Sequence, residues 1–190
     1  GNLVELNKLA WKDKIGDDSA WANPQFDDRD WKSIETAELA KEVLAAGGRG
    51  GRAWLRLRVR IDESLADKNL AFVTRQFGAS EIYVDGERIA KFGGIGDEKV
   101  AEYNPNRLPI PFRFRAAGEH LIAVRFASET FADSDSSAAR WLAGGKVLPH
   151  FFLSIREAGD LDEAIRFYKN AASTRTGFLL VGVSAPPASL

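Results

Sequence analysis

The chain has 190 residues, 45% of them hydrophobic and 11% aromatic, which is enough apolar mass for a buried core. Its 26 basic and 27 acidic residues leave a net charge of -1, so nothing in the bulk charge suggests a nucleic-acid binder. The absence of cysteine removes disulfides, thiol nucleophiles and cysteine metal sites together.

Near the start, "LAWKDKI" predicts a strand around Leu9 to Ile15. A polar loop follows, "GDDSAWANPQFDDRDW", carrying Gly16, Pro24 and the paired aspartates Asp17, Asp18, Asp27 and Asp28, and then a strand from Trp31 to Ile34. Three tryptophans in this span are a heavy aromatic load. "ETAELAKEVLAAGG" has helical composition ending in Gly47 and Gly48, which predicts a short helix near 37–46.

The stretch "WLRLRVRI", Trp54 to Ile61, alternates without interruption. Leu55, Leu57, Val59 and Ile61 form one face of a strand, and Trp54, Arg56, Arg58 and Arg60 form the other. Carboxylates must balance this ladder of guanidinium groups, and the "GDD" and "FDD" pairs are the obvious suppliers. Strands are further predicted over Asn69 to Phe77, over Ser80 to Val84, and over "ERIAKFG", with Asp85-Gly86 as the hairpin turn between the last two. "YNPNRLPIPFRF" begins as an extended edge segment because three prolines interrupt it. "EHLIAVRFA" is a buried strand and "PHFFLSIRE" the last one. From Asp160, the positions of Leu161, Ile165, Tyr168 and Ala172 predict an amphipathic helix. The run Gly177 to Val183 is shorter than the roughly 20 apolar residues of a membrane span. Because the chain begins at Gly1 and contains no methionine, a fragment or processed form is expected.

Few residues carry catalytic chemistry. Only His120 and His150 could serve as a general base, neither near a nucleophile motif, and neither lies in a metal-binding pattern. The four aspartates could pair for glycoside chemistry, but consecutive aspartates in such a loop are more often turn and cap residues. No cofactor is expected. Loop oxygens would accept a structural calcium ion, although the spacing matches no dedicated calcium loop. The glycine clusters "GGRGG" and "FGGIGD" read as turns, since a phosphate loop must open a helix.

Aromatic and polar side chains on the strands point elsewhere. A flat aromatic face suits the apolar side of a sugar ring, while arginine and asparagine suit its hydroxyls. The candidate ligand-binding set is Trp54, Arg56, Tyr83, Asn104, Arg107 and Trp141, with Trp54 and Arg56 the first pair to test. The alternative is that Trp54 belongs to the core and the arginines form a solvated face.

Taken in order, "FDDRDWKSI", "AWLRLRVRI", "NLAFVTRQFGASEIYVDGERIAKFGG" and "GEHLIAVRFA" resemble the galactose-binding-like jelly roll, over roughly Trp11 to Ala127. This fold occurs as the N-terminal sugar-binding domain of family 2 glycoside hydrolases. "GDDSAWANPQFDDRDW" and "YNPNRLPIPFRF" resemble more closely the extracytoplasmic domains of bacterial membrane receptors of the sensor histidine kinase type. The resemblance implies an all-β, two-layer sandwich over 1–158, with residues 159–190 forming a C-terminal helix and juxtamembrane connector. Its arginine face would then lie on an outer or concave surface. The leading expectation is a non-catalytic, periplasmic, membrane-tethered sensory domain. It would bind a small ligand such as a carbohydrate, not nucleic acid, and a homodimer is an open option. The alternative is the carbohydrate-binding domain of a family 2 glycoside hydrolase of the β-galactosidase or β-glucuronidase type.

Overall fold

The computed structural model describes residues 3–40, 42, 51–128 and 149–158. Ten of its strands form two antiparallel sheets. The larger has six, in the order β3 (Lys32–Ile34), β2 (Trp11–Ile15), β4 (Arg52–Ile61), β11 (Gly118–Ala127), β6 (Ala79–Val84) and β7 (Glu87–Phe92). The smaller has four: β1 (Leu3–Glu5), β12 (His150–Glu157), β5 (Leu70–Phe77) and β10 (Pro109–Phe112). A two-stranded ribbon, β8 (Gly94–Ile95) with β9 (Val100–Ala101), follows β7.

Alternation decides which side chains meet between the layers. Leu55 and Leu57 of β4 join Ile122, Val124 and Phe126 of β11 and Ile82 of β6 in one core with Phe72, Ile110, Phe151 and Leu153 of the smaller sheet. Phe126 and Phe151 meet edge to face with centroids 6.0 Å apart, and Phe72 stacks on Phe112. This packing is the all-β sandwich expected, with the aliphatic face of "WLRLRVRI" turned inward.

Two turns show why the chain folds this way locally. Asp85 and Gly86 both have positive φ, 51° and 86°, as a two-residue hairpin between β6 and β7 requires. Gly78 is the single residue between β5 and β6, where the chain changes sheets. Its φ is +145°, and a Cβ there would lie 2.5 Å from the Phe126 ring, so the corner demands glycine. The proline-rich segment becomes β10, at an edge of its sheet, where the missing N–H groups cost least.

Of the helix expected near 37–46, the described part opens as a 3-10 turn, Thr36–Glu38, followed by helical residues 39, 40 and 42. The helix and connector expected over 159–190 lie outside the described residues. Among the described residues no helix is long and apolar enough to cross a membrane.

Candidate functional site

The outer face of β4 differs from the expectation. Residues 16–31 fold back over it, placing Trp21, Phe26 and Trp31 against Trp54, Leu121 and Ala123, so that the larger sheet carries a second, smaller core on its outside. Trp21 meets Trp31 and Trp54 edge to face, with centroids 5.1 and 6.4 Å apart. Lys14 lies with Nζ 5.0 Å from the Trp21 ring and 5.5 Å from that of Trp31.

Arg56 anchors this roof. Its Nε donates to Asp28 Oδ2 at 2.6 Å, Nη1 donates to the carbonyls of Trp21 and Asn23, and Nη2 donates to that of Phe26. The guanidinium thus replaces solvent for three loop carbonyls and one carboxylate. The aspartates divide such tasks among them. Asp18 accepts from Ala20 N–H at 2.9 Å and starts the 3-10 turn Ser19–Ala22, while Asp27 accepts from the backbone and side chain of Arg29. Asp17 pairs with Arg125 at 2.6 Å and Arg52 at 3.3 Å. Burial acts to raise its pKa, but the hydrogen bonds and charge of Arg125, with Arg52, hold it below the usual carboxylate value.

Trp54 and Arg56 are each only 1% exposed, so neither faces a soluble ligand as expected. The physical reason is the loop, which buries its own indoles on that face. Tyr83 stacks on Trp54 with centroids 5.6 Å apart and donates its hydroxyl to Glu81 at 2.8 Å. Burial, then Glu81, push its pKa up to about 12. Asn104 and Arg107 belong to the exposed segment that enters β10, in the other sheet, so the set does not converge. The Asn104 carboxamide accepts from Asn106 N–H at 2.9 Å, and Arg107 sits at φ 65°. Trp141 lies outside the described residues.

His120 is held from both sides, Nδ1 2.6 Å from Asp85 Oδ2 and Nε2 2.9 Å from the Ala116 carbonyl. Burial lowers its pKa, but the bonds to Asp85 and Ala116 and the Asp85 charge outweigh that and hold it above the ordinary value.

An open site lies at the edge of the larger sheet. β3 pairs with β2 only from Trp11 to Asp13, so Lys14 and Ile15 run on beyond it. The notch left there is a cleft of about 460 Å³, lined by Asp13, Lys14, Phe26, Trp31, Lys32 and Glu42 among others. Lys32 and Glu42 pair across it at 2.5 Å. Asp13 pairs in register with Leu55, which puts it on the apolar side of the sheet. It is 6% exposed, and its Oδ1 is buried with no hydrogen-bond partner among the described residues. Burial, then the Glu42 charge, raise its pKa to about 6 against the opposing pull of Lys32. Sequence reasoning missed Asp13, although a signal existed: Trp11, Asp13 and Ile15 share one strand face, with an acid in the middle.

The architecture is a two-layer antiparallel β-sandwich. It is shared by part of a family 2 glycosyl hydrolase from Bacteroides cellulosilyticus DSM 14838, with a TM-score of 0.52 and 20% identity, covering 82% of this chain and 21% of that one. A β-glucuronidase from glycoside hydrolase family 2 matches with a TM-score of 0.50 and 13% identity, covering 82% and 18%. The chain thus spans about a fifth of the length of these structures. No protein-family model and no curated protein matches the sequence.

Proposed function

We propose that the chain is a non-catalytic carbohydrate-binding module of a larger glycoside-hydrolase-type protein. The observation that carries this reading is the shared sandwich, which accounts for most of this chain and a small part of a family 2 glycosyl hydrolase. These likenesses favour the hydrolase-module alternative over the receptor sensor domain. The fate of the candidate catalytic groups agrees with a binding role: Asp17, Asp18, Asp27 and Asp28 serve the loop, and both ring nitrogens of His120 face protein acceptors.

A glycan array followed by calorimetric titration of the chain tests it, alongside p-nitrophenyl glycosides as chromogenic substrates. Saturable binding of at least one glycan without turnover is expected. Turnover, or an array with no binding, overturns the reading.

A further inference from the structure

We propose that residues 103–107, between β9 and β10, are the glycan-binding surface, and that they take an extended β-1,4-linked oligosaccharide lengthwise, with one pyranose on the Tyr103 ring and a neighbouring unit at Asn106 and Arg107. The inference rests on the carbohydrate-binding reading above and adds the place and the kind of chain bound.

Tyr103 is the one exposed aromatic side chain among the described residues, at 44%. Its ring lies 19° from parallel to that of Phe92, with centroids 6.4 Å apart, so one face rests on a buried phenylalanine and the other is left to solvent. The backbone that carries the ring is fixed on both sides. Tyr103 N–H donates to the Gly78 carbonyl at 2.9 Å, and the Tyr103 carbonyl accepts from Gln76 Nε2 at 2.8 Å. Gln76 is 0% exposed and is itself oriented by the Ser80 hydroxyl, which donates to its Oε1 at 2.6 Å. A flat aromatic ring held this way receives the C–H face of a pyranose with little ordering cost.

The surface continues past the ring. Asn104, Asn106 and Arg107 are exposed, while Pro105 among them is buried. The Asn104 carboxamide oxygen is taken by Asn106 N–H at 2.9 Å, which leaves its NH2 group for a ligand. Asn106 and Arg107 hold φ of 48° and 65°, consecutive left-handed positions that side chains rarely adopt, and Arg107 N–H is tied to the Thr74 carbonyl at 3.0 Å. No carboxylate pairs with Arg107 among the described residues. Amide and guanidinium N–H groups suit sugar hydroxyls as acceptors. The length of the ligand follows from the sheet. Thr74 and Gly78, which hold the two ends of the segment, are four residues apart along β5 and its corner, about 13 Å in extended chain. One ring on Tyr103 therefore does not reach Arg107, whereas an extended β-1,4-linked chain sets further rings along the same line.

The test is calorimetric titration with cellotetraose, β-1,4-mannotetraose and β-1,4-xylotetraose, set against maltotetraose and methyl β-glucopyranoside, using the parent, Tyr103→Leu, Tyr103→Trp and Arg107→Ala. At least one β-1,4-linked tetraose should bind. Maltotetraose, whose α-1,4 linkages curve the chain, and the single-ring glycoside should each bind about tenfold more weakly or worse. Tyr103→Leu keeps an apolar side chain on Phe92 but removes the flat ring, and it should weaken the bound tetraose about tenfold or more, whereas Tyr103→Trp should hold it within about threefold. Arg107→Ala should weaken the tetraose about threefold or more and leave the single-ring glycoside unchanged. Thermal midpoints of all three variants should stay within about 3 °C of the parent, which separates lost recognition from lost folding. Unchanged tetraose affinity in Tyr103→Leu or in Arg107→Ala, equal affinity for maltotetraose or the single-ring glycoside, or an array with binding but none to the three β-1,4-linked chains overturns this surface while leaving carbohydrate binding intact. Failure of every glycan in the array overturns both.

Discussion

Leu55 and Arg56 are neighbours on β4, 0% and 1% exposed, yet they are buried by different parts of the molecule. Leu55 meets the second sheet, in a core formed by side chains that alternation alone brings together. Arg56 meets a loop, and what it holds there is mostly backbone: the carbonyls of Trp21, Asn23 and Phe26, with Asp28 to balance its charge. An aliphatic face needs only another aliphatic face. A loop laid on a sheet must find donors for its carbonyls, and a long side chain with five N–H groups on the strand beneath supplies several at once. The outer core is therefore apolar in its indoles and polar in its anchor, and the two depend on each other.

The largest expected effect separates these two kinds of burial. Arg56→Ala leaves Asp28 and three carbonyls without their donor and should cost about 3–5 kcal/mol. Leu55→Ala should cost a similar amount, about 2–5 kcal/mol, through a cavity in the main core. The two should differ in how they lose structure, as followed in urea by tryptophan emission and far-UV circular dichroism. Arg56→Ala should release the loop first, with a red shift in emission preceding the loss of strand signal, whereas Leu55→Ala should keep the two transitions together at a lower midpoint. Coincident transitions in Arg56→Ala would show that roof and sandwich are one cooperative unit.

Asp28→Asn is a smaller cut through the same anchor. The amide oxygen can still accept from Arg56, and the loop carbonyls keep their donors, but the guanidinium loses its counter-charge. The expected loss is about 1.5–3 kcal/mol by urea unfolding. A loss equal to that of Arg56→Ala would mean that the ion pair, not the carbonyl bonds, fastens the loop.

These residues also show what the sequence makes legible. Period-two alternation locates β4 and β11, Asp85-Gly86 marks the hairpin, and of the arginine ladder Arg56 takes its carboxylate from the "FDD" pair, as Asp28 shows, whereas Arg58 pairs with Glu119. Alternation reports which side chains share a face, but not what covers it. For that reason Trp54 and Arg56 read as an outward-facing site. The covering loop advertised itself only through Trp21, Phe26 and Trp31, apolar surface in a polar segment that had to be buried somewhere. The edge cleft was less visible, because it depends on where β3 stops pairing with β2. Strand ends of that kind follow from tertiary packing, not from residue type.

At the rim of the inner face, the His120–Asp85 pair predicts a pH effect smaller than either substitution. Its folded pKa is raised, so its contribution is fully present below the ordinary histidine value of 6.5 and is lost as pH rises through the folded value. Urea unfolding should therefore show stability falling from pH 6 towards pH 8. Asp85 also accepts from Leu121 N–H, so His120→Gln is the cleaner variant, and it should flatten this part of the profile. An unchanged slope would assign the dependence to another group.

The smallest effect follows the arginine ladder outward from the roof. Arg58, one rung on from Arg56, keeps one bond to the loop, from Nη2 to the Pro24 carbonyl at 3.1 Å, and pairs with Glu119 at 3.3 Å with its side chain 39% exposed. Arg60 is exposed, past the point where the loop covers the strand. If the loop is what makes an arginine on this face matter, alanine substitutions should fall steeply along one strand: about 3–5 kcal/mol at Arg56, about 1 kcal/mol or less at Arg58, and within about 0.5 kcal/mol of zero at Arg60. Equal losses at all three would mean that the guanidinium row acts as a unit, and the division of β4 between a loop anchor and a solvated end would have to be given up.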